Sequence, residues 1–344
     1  MCSPILLGNS IQSWTTRGLF DQMTVNPNFE PARTEAVVRI DGHVDVLYEM
    51  LEAHSDVSFD NLPDLAVTVD KMKSVDVVAA VFALYCPDEY DGSGSKDFLA
   101  HLLAYAERLL KGLFHIKSAQ DLSDCIRLKR PGMILLIENS DGLIEFDRTM
   151  LAQAGVRVAG LTHMGRNRLG DGNAVPFPEG LTEQGKDLVK ELAREGFAFD
   201  AAHLAEPGFR DLVRLHEGPL ISSHTGVRAL ADIPRNLTRN QVAAIIEHKG
   251  VIGIAADPKM LTLSGKASID DIFHHIDWIA QSFGADAIGI GTDFCGFEGI
   301  NAGFEDITKM TDLERIMREH GYPEKSIRAI MGENWRIFYE SLLQ

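Results

Sequence analysis

Ala36-Val-Val-Arg-Ile-Asp-Gly-His-Val-Asp45 joins a short apolar run to a histidine and an aspartate two residues apart. The run Ala36–Ile40 reads as a β-strand. Residues two apart on an extended chain face the same way, so His43 and Asp45 project together from the end of that strand. The pattern recurs down the chain. Further strand candidates are Val75–Leu84, Met133–Ile137, Val156–Leu161, Phe197–Ala201, Pro219–Ser222, Val251–Ala255 and Ala287–Gly291, which makes eight with the first. Amphipathic stretches separate most of them. Thr182 reads as the N-cap of a helix running to about Glu195, with Gly196 as its stop. Another helix opens at Ser268-Ile-Asp-Asp271, a variant capping box, and carries Ile269, Ile272, Phe273, Ile276 and Ala280 at helical spacing. The last helices, near Leu313–His320 and Trp335–Leu343, complete the outer layer. Short strands alternating with helices argue a parallel sheet, and eight such units argue closure into a (β/α)8 TIM-type barrel.

Chemistry-bearing residues follow the strand period. Glu138 ends the third candidate strand, His163 the fourth, His203 the fifth, His224 the sixth and Asp293 the eighth, while His43 and Asp45 follow the first. That is the face on which barrels of this kind build their sites. Surface histidines would have no reason to keep such a period. Imidazole and carboxylate without cysteine is a donor set for catalytic zinc, and a carboxylate such as Glu138 can bridge two ions. His274 and His275 lie inside an amphipathic helix and read as structural. Tyr48 and Asn167 are candidates for the pocket wall.

Bulk properties bound the remaining alternatives. The chain has 344 residues, 45% hydrophobic and 24% charged, and a formal charge of −17. This is ordinary globular composition, compatible with a single barrel over 1–344 preceded by an N-terminal extension, 1–35. The acidic balance argues against nucleic acid and anionic lipid as partners. Cys2, Cys86, Cys125 and Cys295 are too scattered for a disulfide framework or a cysteine zinc site. No run approaches a membrane span and the first residues lack a basic segment, so a cytoplasmic location is expected.

At these residues the sequence resembles the membrane dipeptidase (renal dipeptidase) family of zinc peptidases, in its soluble bacterial form. The segments that carry the likeness are Asp41-Gly-His-Val-Asp45, Ile137-Glu138, Leu161-Thr-His-Met-Gly-Arg-Asn167, Asp200-Ala-Ala-His203, Ser223-His-Thr-Gly-Val-Arg228, Arg235-Asn236, Gly291-Thr-Asp293 and Gly332-Glu-Asn334. The resemblance implies two zinc ions, one on His43 and Asp45, the other on His203 and His224, with Glu138 bridging. It implies that a shared hydroxide attacks a dipeptide, that His163 steadies the oxyanion and that Asp293 passes a proton to the leaving amine. It gives Arg228 the substrate carboxylate, and it implies a homodimer. The sequence departs from the pattern at Val44, at Cys295 and across Gly253-Ile-Ala-Ala-Asp257, and these departures bear on substrate choice. The same scaffold serves hydrolysis of N-acyl amino acids, lactams or lactones, or a non-hydrolytic protein that keeps the pocket.

Overall fold

The computed structural model describes residues 37–53, 57–62 and 65–344. The expected extension, 1–35, lies outside them, as does Ala36. Among the described residues there are nine strands: β1 (Arg39–Val44), β2 (Val77–Tyr85), β3 (Phe114–His115), β4 (Gly132–Glu138), β5 (Val158–Gly160), β6 (Ala198–Asp200), β7 (Leu220–Thr225), β8 (Ile252–Ile254) and β9 (Ile288–Ile290). Every pairing is parallel. The order runs β2, β1, β9, β8, β7, β6, β5, β4, and a β2–β4 pairing closes the ring. The result is the eight-stranded barrel that the sequence predicts. The additional strand, β3, is a two-residue pairing alongside the first residues of β4.

Parallel strands are covered on both faces, so they read as near-continuous apolar runs. β2, Val-Val-Ala-Ala-Val-Phe-Ala-Leu-Tyr, is the clearest case. Phe82 and Leu84 face the helical layer, whereas Ala79 and Val81 belong to a second cluster with Ile134, Leu136, Val158, Ala198 and Ile221 from the other strands. That inner cluster also takes Trp335, Phe338 and Tyr339 from the last helix, Asn334–Leu342. The last helix therefore closes the end of the barrel opposite the strand exits, where the sequence reading had placed it in the outer layer. Trp335 is fully buried and donates its indole N–H to Ile290 O at 2.9 Å. Gly42 and Gly289 make room for it, because a Cβ at either would fall within 2.3 Å of the indole.

The local helix signals hold. Thr182 caps Glu183–Arg194 by accepting from Gly185 N. Asp271 reaches back to Ser268 N at 2.8 Å at the start of Ile269–Phe283. No helix among the described residues is long and apolar enough to cross a membrane.

Two interruptions of strand register matter for the site. β1 slips against β2 between Asp41 and Val44, and β7 slips against β8 between Ser222 and Thr225. His43 and His224 sit inside these irregular stretches, within their strands, whereas the sequence reading had both just past the strand ends. A bulge of this kind re-aims a side chain that strict alternation would send to the other face.

Candidate metal centre and cavity

The seven ligand-type residues from the strand exits meet at the open mouth of the barrel. Glu138, the last residue of β4, lies at the centre with its two oxygens directed to different partners. Its Oε2 is 3.4 Å from His43 Nε2, which is itself 3.6 Å from Asp45 Oδ2. Its Oε1 is 2.8 Å from His203 Nε2 and 3.8 Å from His224 Nε2. Asp293 Oδ1 approaches His224 Nε2 at 4.0 Å. His163 stands at the side, its ring 4.4 Å from that of His203, with its Nδ1 3.5 Å from both Asp88 Oδ1 and Tyr85 Oη. All but His163 are buried.

Several of these atoms lack hydrogen-bond partners. His43 Nε2, Asp45 Oδ1 and Glu138 Oε2 are buried without one. His203 Nε2 and His224 Nε2 face each other at 3.0 Å, a separation at which two lone pairs repel unless a proton or a cation lies near both. Unpaired buried polar atoms are costly, so their convergence calls for an ion. Three groups are close enough to hold one, two of them sharing His43: His43, Asp45 and Asp293; His43, Asp200 and His224; and Glu138, His163 and His203. The residues fit a metal centre in number, type and placement.

The electrostatics agree. Burial lowers the pKa of His203 and His224 well below the ordinary imidazole value, and the charges of Arg235 on His203 and of His43 on His224 add to it, which keeps lone pairs available. Burial acts in the same direction on His43, but the charges of Glu138 and Asp45 outweigh it and hold its pKa well above the usual value. Asp293 is pushed far above the carboxylate range by burial and by the neighbouring charges of Asp45 and Glu138.

His203 and Asp293 both leave their strands in the left-handed backbone region, at φ 63° each, and Cys295 follows at φ 73°. Such strain in non-glycine residues concentrates at functional sites. Gly296 lies against the same carboxylates: a Cβ there would come within 2.2 Å of Asp45 Oδ2 and 2.4 Å of Asp293 Oδ1.

Above these groups opens a cavity of about 480 Å³, of small-molecule size. Its walls include Tyr48, Tyr85, Met164, Arg235, Lys259 and Cys295, with Glu138, His163, His203 and Asp293 at the candidate metal centre. Asn167 is not on the wall; it is buried behind it, donating to Asn139 Oδ1 and Leu161 O. His275 is structural, accepting from Val227 N.

Two cations line the cavity, Arg235 and Lys259, and the arginine the sequence reading selected is not one of them. Arg228 is absent from the wall. It donates to Ile233 O and lies 3.6 Å from Asp232 and 4.0 Å from Glu206. Arg235 lines the cavity instead, with Nη2 donating to His224 O at 2.9 Å and lying 3.3 Å from His203 Nε2, Nε without a partner and no ion pair among the described residues. The chain between β7 and the following helix folds back on itself, with Arg228 N donating to Leu237 O. That return brings Arg235 to the cavity. Arg235-Asn236 was visible as a motif, but nothing in local spacing separates the two arginines.

Comparison with known proteins agrees with this geometry. The chain is 27% identical over 322 residues to dipeptidase tcpJ of Claviceps purpurea, covering 86% of this chain and 74% of that protein. Among solved structures it resembles dipeptidase AC, a metallopeptidase, with a TM-score of 0.81 at 26% identity, covering 90% of this chain and 99% of the other. It also resembles a metallopeptidase from Rhodobacter sphaeroides solved with a phosphinate mimic of the dipeptide L-Ala-D-Ala, with a TM-score of 0.79 at 26% identity, covering 90% and 100%. The family model described as membrane dipeptidase, peptidase family M19, matches residues 31–341, and the chain belongs to that family.

Proposed function

We propose that this chain is a binuclear zinc dipeptidase. The observation that carries the reading is Glu138, whose two carboxylate oxygens address two separate pairs, His43 with Asp45 and His203 with His224. Zinc suits a nitrogen and oxygen donor set, and two such ions would supply an activated water and polarise the scissile carbonyl.

The chain's own residues would do the rest. The half-buried Arg235 guanidinium, unpaired by any carboxylate of the described chain, would take the substrate's terminal carboxylate in a bidentate bond. That role passes to it from Arg228 because only Arg235 borders the cavity. His163, held by Asp88 and Tyr85 beside His203, would donate to the oxygen that gains charge as the carbonyl is attacked. Asp293, at the cavity floor, would carry a proton between the water and the leaving amine. The Rhodobacter sphaeroides relative, bound to a dipeptide mimic, supports a dipeptide as the substrate class here.

The test is metal content by mass spectrometry beside turnover of a panel of dipeptides, with D or L residues at the second position, and N-acyl amino acids. Two zinc ions per chain and hydrolysis of dipeptides, abolished by a chelator and restored by zinc, are expected. A protein that binds no zinc on reconstitution and cleaves no dipeptide overturns the reading. Turnover confined to acyl amino acids redirects it to that substrate class.

A further inference from the structure

His43 on β1 and His224 on β7 are 181 residues apart in the chain but share one hydroxyl. Ser223 Oγ lies 3.0 Å from His43 Nδ1 and 2.9 Å from His224 Nδ1. The Asp200 carboxylate lies beside this group, with an oxygen within 4.8 Å of a ring nitrogen of His43 and of His224. Asp200, at the end of β6, is held in place: its Oδ1 accepts from Ala202 N at 3.0 Å and Ser223 N at 2.9 Å. His43 and Ser223 are 0% exposed, His224 1% and Asp200 2%, so water does not compete for these bonds.

Proton counting then fixes the direction of each bond. A hydroxyl has one proton to give, and an ionised carboxylate only accepts. With the Ser223 proton turned toward the Asp200 carboxylate, Ser223 Oγ is left to accept from the Nδ1–H of both rings. A neutral imidazole carries a single ring proton. With that proton at Nδ1, each Nε2 keeps its lone pair, and these are the atoms that face Glu138. We propose that Ser223 and Asp200 are positioning residues that hold His43 and His224 together in the Nδ1–H tautomer, so that both Nε2 atoms are metal donors at once. The proposal rests on the metal-centre reading above. Asp200 also lies close enough to both rings to be a ligand itself, but the Ser223 hydroxyl already bonds both Nδ1 atoms.

The polarity of this chain can be reversed without changing its shape. In Asp200→Asn the side-chain oxygen still serves the backbone N–H groups of residues 202 and 223, and the amide NH2 turns toward Ser223. Ser223 Oγ then accepts from the amide, and its proton must go to one imidazole Nδ1. That ring moves its own proton to Nε2 and ceases to be a donor to metal. Ser223→Ala removes the shared acceptor altogether.

The experiment uses the full chain. Zinc affinity is measured by competition with a chromophoric chelator, and ring N–H resonances of the zinc-loaded protein by nitrogen-15 NMR. The wild type should give two slowly exchanging Nδ1–H signals, from His43 and His224. Each variant should bind at least one zinc roughly 10–100-fold more weakly, the usual cost of losing a partner that orients a metal-bound histidine. Because Asp200 acts through Ser223, Asp200→Asn on the Ser223→Ala background should add less than about threefold, a non-additivity expected of residues in one network. Zinc binding by the wild type with affinity unchanged in both variants overturns the tautomer assignment alone, as do multiplicative losses or the absence of either Nδ1–H signal. A wild type that binds no zinc brings down the metal-centre reading and this proposal with it. The NMR test needs only the wild type and stands even if a variant fails to fold.

Discussion

Replacing Arg235 with methionine tests how the cavity recognises its substrate. Methionine keeps most of the aliphatic volume and removes the charge. The guanidinium Nη2 donates to His224 O and lies 3.3 Å from His203 Nε2, and Nε has no partner. A carboxylate entering the cavity would meet a preformed donor with no competing ion pair among the described residues. Each hydrogen bond to a charged group contributes about 1.5–3 kcal/mol, and leaving a carboxylate unpaired in the cavity places the loss near the sum of two weak ones, about 3 kcal/mol. At about 1.4 kcal/mol per factor of ten, that is a loss of roughly a hundredfold in kcat/KM. The assay compares dipeptides bearing a free carboxylate with the same dipeptides amidated, alongside zinc content to show that the proposed site at His203 and His224 is undisturbed. The loss should be confined to the free acids, and Arg228→Met should change kcat/KM less than about threefold, as expected of a surface substitution. Equal loss on amidated and free dipeptides, or a selective loss in Arg228→Met instead, refutes the assignment.

Other outcomes follow from the same geometry. Asp293→Asn removes the proposed proton carrier and should lower kcat by about 10²–10⁴-fold, the usual worth of general acid–base catalysis, with both zinc ions retained; full kcat on dipeptides would exclude the role. Gly296→Ala should inactivate the enzyme with little change in melting temperature, because its new methyl meets the Asp45 and Asp293 carboxylates; a fully active variant would mean those carboxylates can shift freely. His115 links stability to pH. Burial lowers its pKa from 6.5 to about 4, with the charge of Lys117 acting in the same direction. The folded state therefore takes up the proton at lower pH than the unfolded chain does, so its contribution is complete above about pH 6.5 and is lost as pH falls toward 4. Denaturant titrations of wild type and His115→Gln should show the wild type losing ground to the variant across that window, and a difference independent of pH would refute the linkage.

Local rules account for much of what was legible in the sequence. Apolar runs such as Val77–Tyr85 are long enough and sufficiently rich in β-formers to identify strands unaided. Thr182 announces its helix because an N-cap acts within one turn. Glu138, His203 and Asp293 stand at or just beyond strand exits, and period-two reasoning with the barrel rule brings them to one rim. The likeness to a dipeptidase family added roles that no spacing carries.

Tertiary structure decided what depends on neighbours distant in the chain. His43 and His224 point into the mouth through slips of register between strands, and a slip exists only once the second strand is present. Ser223 and Asp200 look like ordinary strand residues until closure of the barrel brings His43 to the same hydroxyl. Trp335 reads as one more residue of an amphipathic helix, yet two strand glycines admit it to the barrel interior. The choice between Arg228 and Arg235 turned on a loop that doubles back on itself. Sequence periodicity records which face of its own element a residue occupies. What that face meets is settled by packing among all the elements together.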